Sequence, residues 1–116
     1  MTLQTSTISV DYGRDGFVFP FDIVSEGEAK ELRADLESAE TEFADHSEKL
    51  SIVRSYPARL LPSFDKLIRH PNLIDAVSRI LGPDMLVWGS GLFIKEANTP
   101  HYVSWHQDLN YWGLDD

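Results

Sequence analysis

The Gly82-Pro83 pair divides this chain into two stretches with different hydrophobic periods. Glycine followed by proline ends a helix: one supplies a left-handed turn, and the other lacks the N–H that would continue the ladder. Upstream of the pair, apolar residues recur at spacings of three and four, the repeat of a helix with one buried stripe. Downstream they crowd into short β-rich runs. Helices first and strands afterwards predict an α+β fold.

The upstream half contains one clear helix start. Ser25 and Glu28 have the spacing of a capping box, in which each side chain bonds the other residue's backbone N–H. Ala29, Leu32, Leu36, Ala39 and Phe43 then form one apolar stripe, and Glu31, Asp35, Glu37, Glu40 and Glu42 fall off it. Residues 45–62 read as irregular, with Pro57 and Pro62 as breakers. A second helical region begins near Ser63, with Phe64, Leu67 and Ile68 on its buried side. Pro71 either kinks that helix or opens a new one, which Leu73, Ile74, Val77, Ile80 and Leu81 continue. Before all of these, Gly16 to Phe21 is an apolar run broken by Pro20, suited to an edge strand or an extended lead-in.

A length of 116 residues fits a single domain, 1–116, helical over about 22–82 and β over about 84–116. The hydrophobic fraction of 42% excludes a disordered chain, and the lack of cysteine excludes disulfides, zinc ribbons and thiolate nucleophiles. Ten basic residues against nineteen acidic ones give a net charge of −9. Neither nucleic acid nor an anionic membrane is expected as a partner of so acidic a chain. Much of the charge lies between Glu26 and Glu48, where nine acidic residues face only Lys30 and Arg33. Such a run reads as a solvated helix face. No apolar run approaches the roughly 18 residues of a membrane span, and the first residues lack the pattern of a secretory signal. The expected location is the cytoplasm.

Chemistry concentrates in the downstream half. Met85 to Ile94 is β-rich but interrupted by Gly89 and Gly91, as where a ligand or another backbone approaches closely. Asn98-Thr99-Pro100 reads as a turn, and Val103 to Trp112 returns rich in aromatics. Within it, His106-Gln107-Asp108 is an H-x-D triplet. On a strand, residues two apart share a face, so imidazole and carboxylate would converge there. With a third histidine from a distant strand, such a pair forms the facial triad of non-haem Fe(II) sites, which leaves positions open for a 2-oxo acid and O₂. Taken alone, the triplet is also what a surface histidine beside a turn carboxylate looks like. Trp105, Tyr111 and Trp112 around it serve equally as pocket walls or as core.

The stretch Leu81 to Leu114, LGPDMLVWGSGLFIKEANTPHYVSWHQDLNYWGL, strongly resembles the phytanoyl-CoA dioxygenase family. The likeness extends upstream through Leu67 to Pro71 and to the Asp15-Gly16-Phe17 start. It implies an Fe(II)- and 2-oxoglutarate-dependent oxygenase that hydroxylates a small aliphatic substrate with O₂. It also implies a double-stranded β-helix core with helices packed on one outer side. His106 and Asp108 match the first two iron ligands of the family. The strand around Gly91 matches one that borders 2-oxoglutarate, with Lys95 near its end placed to assist the cosubstrate or simply to sit in solvent. Trp112 matches an aromatic position that lines the substrate pocket in some relatives, or else packs in the core.

Three features depart from that pattern. The family's second histidine ligand and its 2-oxoglutarate-binding arginine lie far downstream of H-x-D, whereas this sequence runs eight residues past Asp108. His46, His70 and His101 all lie upstream, and His101 reads as an ordinary loop histidine. A complete β-helix needs about eight strands in two facing sheets, more than this sequence holds. The expectation is therefore the N-terminal part of a longer oxygenase, poorly active alone. Exposed sheet edges would favour association, as a homodimer or otherwise. Arg54 and Arg59 have the reach to meet a carboxylate, but solvated arginine is the simpler reading. The competing class is a non-catalytic β-helix module that binds a ligand or a partner.

Overall fold

The computed structural model describes residues 8–113, and among them seven helices follow one another. These are α1 (Ile8–Asp15), α2 (Glu26–Glu42), α3 (Ser47–Ser55), α4 (Pro57–Leu60), α5 (Pro62–Ile68), α6 (Pro71–Leu81) and α7 (Leu109–Trp112). None is long and apolar enough to cross a membrane.

The capping box starts α2 as expected. Ser25 N–H donates to Glu28 Oε2 at 2.8 Å, and Glu28 N–H donates to Ser25 Oγ at 3.2 Å. On the inner face of α2, Ala39 is buried while Leu32, Leu36 and Phe43 are half-buried. Ahead of it, α1 ends at Gly16, whose φ of 77° is the left-handed turn that glycine takes without strain. Residues 16–24 form an irregular lead-in to α2 rather than an edge strand, with a cis Phe19–Pro20 bond.

Residues 45–62, expected to be irregular, instead carry α3 and α4. Pro57 and Pro62 do break the chain into separate helices, since α3 stops at Ser55 and α4 at Leu60, but each also occupies the first turn of the next helix, where the missing N–H has no intrahelical partner to lose. Pro71 likewise opens α6, so the alternative of a kink does not occur. His70 Nδ1 caps this helix by accepting the Asn72 N–H at 3.2 Å, and Asn72 Nδ2 donates to Ile23 O at 3.0 Å. Gly82, at φ 84°, ends it where expected. Among the described residues the buried apolar side chains are few: Ile8, Ala39, Val53 and Ala58, together with the fully buried Pro57. Two of these are alanines, so the packing that holds the layer rests largely on half-buried residues.

The expected β half is corrected by the structure. Among the described residues there is no strand, and no helix packs on a β-helix core. Met85 to Ile94 and the stretch from Val103 carry no regular secondary structure and pair with no strand, with the expected turn between them at Asn98 (φ 58°). The expectation ran to residue 116, and 114–116 lie outside the described residues. The physical reason is that a β-rich sequence records a capacity to pair, whereas a strand exists only when a neighbour supplies its ladder. Leu86 (98% exposed), Phe93 (94%) and Trp105 (104%) therefore stand in solvent instead of in a core. The radius of gyration, 16.6 Å, exceeds the roughly 13 Å of a compact chain this long.

Candidate metal-binding pair

Chain direction around His106 is set by a turn, not by a pleat. Asp108 has helical dihedrals (φ −59°, ψ −36°) and precedes α7, so the strand geometry expected for H-x-D is absent. The two side chains nevertheless meet: His106 Nε2 lies 3.3 Å from Asp108 Oδ1. On the other side of the ring, Nδ1 lies 2.8 Å from the Ser104 carbonyl. A carbonyl oxygen only accepts, so Nδ1 carries the donated proton. In the neutral ring Nε2 is then a lone pair facing a carboxylate oxygen. Two acceptors in this arrangement call for a cation, either a second ring proton or a metal ion.

The pair fits a ferrous ion as two of its ligands. Metal–donor bonds of about 2.1 Å place two adjacent ligands of an octahedral ion about 3.0 Å apart. Asp108 makes no side-chain capping bond to α7, so its carboxylate is not spent on the helix. Both side chains are solvent-accessible, Asp108 more so. No group of three or more His, Cys, Asp or Glu residues able to hold a metal occurs among the described residues.

Aromatic rings frame the pair. Asp108 O accepts the N–H groups of Tyr111 (2.9 Å) and Trp112 (3.2 Å), closing the single turn of α7. Tyr111 meets the His106 ring edge to face, with centroids 5.8 Å apart and planes at 74°. Trp112 stacks on Trp88 at 5.9 Å and 27°, joining α7 to the Met85–Ile94 segment. Tyr111 was legible in the sequence only as one of several aromatics. Ser104 carried no signal, since it acts through its backbone.

The remaining expected residues lie apart from this pair. Gly91 sits against α3, where a Cβ built on it would be 3.9 Å from Ser55 O, an ordinary contact. It lines a shallow hollow with Ser51, Arg54 and Phe93 that includes neither His106 nor Asp108. Lys95 reaches the Thr99 carbonyl at 3.4 Å, at the turn. Arg54 is not the solvated arginine expected. It is 29% exposed, donates from Nε to Glu40 Oε1 at 3.2 Å and reaches Glu96 Oε1 at 3.4 Å. The hydrogen bond from its guanidinium to Glu40 holds its pKa above the ordinary arginine value. Arg59 lies over the Tyr56 ring. His70 caps α6 and faces Glu28 Oε1 at 3.4 Å, while His101 is exposed. A cavity of about 1070 Å³ between α2 and α3–α5 is lined by His70 among others, and by none of Gly91, Lys95, His106, Asp108 and Trp112.

Residues 12–116 match the phytanoyl-CoA dioxygenase (PhyH) family, and the chain belongs to that family. Among curated proteins it is 26% identical over 112 residues to the ectoine dioxygenase of Streptomyces coelicolor, covering 89% of this chain and 38% of that one. It is 27% identical over 114 residues to the ectoine dioxygenase of Bordetella parapertussis (90% and 37%). To the L-proline trans-4-hydroxylase of Streptomyces griseoviridis it is 28% identical over 114 residues (92% and 42%). The chain thus spans about two fifths of the length of these relatives. No solved structure matches it at a significant level.

Proposed function

We propose that this chain forms part of a non-haem Fe(II)- and 2-oxoglutarate-dependent dioxygenase that hydroxylates an aliphatic carbon of a small molecule. The observation that carries this reading is the convergence of His106 Nε2 and Asp108 Oδ1 at 3.3 Å, with the other ring nitrogen held by Ser104 O. Family membership and relatives named for ectoine and for L-proline support the reaction class and a small substrate.

Bound iron with 2-oxoglutarate and O₂ would supply the oxidising power, releasing succinate and CO₂. The chain's own residues supply position and charge. His106 contributes a neutral donor whose tautomer is set by the Ser104 carbonyl, and Asp108 contributes one negative charge. That leaves a net positive charge on a ferrous ion, which favours the dianionic cosubstrate. Gly91 and Lys95 are the residues we assign to the cosubstrate's side, Lys95 by offering an ammonium to a carboxylate. Trp112, backed by Trp88, offers an aromatic face for the substrate. Two ligands hold iron weakly, so this chain alone should turn over little or nothing.

The test is succinate formation with Fe(II), 2-oxoglutarate, ascorbate and candidate ring-bearing carboxylic acids, using this chain and any longer protein that contains it. Activity of the longer protein that disappears in His106→Ala supports the reading. Full activity in that variant defeats it. A non-catalytic module would keep both side chains in protein hydrogen bonds. His106 Nδ1 is held by Ser104 O, whereas Nε2 and the Asp108 carboxylate, which face each other, bond no other side chain among the described residues.

A further inference from the structure

We infer that Tyr111 is a positioning residue for His106, holding the imidazole in the one orientation that turns Nε2 toward Asp108. The inference rests on the reading of His106 and Asp108 as metal ligands. An imidazole turns readily about its outer torsion, which is broad and roughly two-fold. Half a turn would carry Nε2 away from Asp108 and break the Nδ1 bond to Ser104 O. That bond alone is a poor lock, because the ring is partly exposed and water competes for both partners.

The Tyr111 ring supplies the missing restraint. At 74° and 5.8 Å, edge-to-face contact is the favoured arrangement of two aromatic rings, and it depends on the orientation of both. Tyr111 is itself held from two directions. Its N–H bonds Asp108 O, the carbonyl of the second ligand, and its neighbour Trp112 is stacked on Trp88. One turn of helix therefore links both ligands through a single aromatic side chain. No hydrogen bond to the Tyr111 hydroxyl occurs among the described residues, so the phenyl ring and not the oxygen should matter.

The experiment compares wild type with Tyr111→Phe, Tyr111→Leu and Tyr111→Ala. One readout is the orientation of the His106 ring without metal, from nuclear Overhauser contacts of its two carbon-bound ring protons. The other is broadening of its ring signals on titration with Mn(II). Because Tyr111 is 72% exposed, the substitutions should leave the far-ultraviolet circular dichroism unchanged. Wild type and Tyr111→Phe should show one ring orientation, with Nε2 turned toward Asp108. Tyr111→Leu and Tyr111→Ala should show a mixture, with Mn(II) affinity lower by roughly three- to tenfold. An unchanged orientation in Tyr111→Ala would overturn the inference, as would its loss in Tyr111→Phe. A Tyr111-dependent orientation with no Mn(II) effect in wild type would support positioning while removing the metal reading.

Discussion

The carbonyl of Arg54 accepts the Leu92 N–H at 2.8 Å, the one backbone hydrogen bond among the described residues that joins the helical half to the segment after Gly82. The same residue's guanidinium continues the junction to Glu96, with Glu40 of α2 as its main partner. A further bond, from Ala58 N–H to Ser90 Oγ at 3.2 Å, sits alongside.

Arg54→Ala should therefore destabilise more than an ordinary surface substitution. The Arg54–Glu40 pair is about 30% exposed on each side, between the weak exposed pairs and the costly buried ones. A loss of about 1–2 kcal/mol in urea denaturation is expected. Arg54→Lys should recover only part of it, because an ammonium lacks the planar fork that reaches two carboxylates. Glu96→Gln should be near neutral, since that carboxylate is 63% exposed. Equal losses for Glu40→Gln and Glu96→Gln would contradict this ranking.

Acid should weaken the start of α2. Hydrogen bonds from the Ser25 backbone and side chain, and secondarily the nearby His70, hold the Glu28 carboxyl below its ordinary value of 4.5. A depressed native value means that the folded state favours the carboxylate. Its stabilisation is complete above the ordinary glutamate pKa and is lost as pH falls through the lower native one. The stability difference between wild type and Glu28→Gln should thus be flat above about pH 5 and shrink below it. Ser25→Ala should cost about 1 kcal/mol, the usual worth of an N-cap. A difference that grows toward acid would refute the assignment.

What was legible in the sequence follows the range of the interactions involved. The Ser25–Glu28 box and the Gly82 stop are written within four residues of themselves, and both occur as expected. Pro57 and Pro62 were read only as breakers, which they are, but proline both ends and begins helices, so the helices that start at each were missed. The β half was misread because Met85 to Ile94 can become a strand only beside another. The H-x-D pair converges for a reason other than the expected one: a turn before α7 brings Asp108 round to His106. Arg54 was illegible because its partners Glu40 and Glu96 lie 14 and 42 positions away, on other elements of the chain.

Ser63 gives a test in the opposite direction. Its Oγ, in the first turn of α5, is buried and has no hydrogen-bond partner among the described residues. A buried hydroxyl without a partner costs about 1–3 kcal/mol relative to a paired one. Ser63→Ala removes that cost and slightly raises helix propensity. Thermal unfolding should move upward, equivalent to about 1 kcal/mol. A clear loss of stability would show that the hydroxyl is paired in solution.

The unpaired β-rich segment should make the protein associate. Leu86, Phe93 and Trp105 are almost wholly exposed, and the backbone around them forms no strand ladder among the described residues. Sedimentation should show concentration-dependent oligomers. Leu86→Lys, which places a charge on that segment, should shift the distribution toward monomer. An unchanged monomer across the range would place the apolar face out of reach of other copies.

Asp108→Asn separates specific metal binding from the attraction of an acidic chain. The substitution keeps shape and removes one charge at a side chain 62% exposed, so stability should change by less than about 0.5 kcal/mol. With wild type, Mn(II) should broaden the His106 ring signals first, because Nε2 and Oδ1 converge at 3.3 Å. In Asp108→Asn that selectivity should vanish, with affinity falling by at least the roughly tenfold that losing a ligand's supporting group costs. The nine acidic residues between Glu26 and Glu48 are the natural competitor, since a row of carboxylates concentrates cations without binding one in a defined place. Broadening there should be weak, spread over α2 and the same in both proteins, and it should fade with salt as screening predicts. Signals of α2 responding before His106 would mean that the H-x-D pair of this chain does not select the metal.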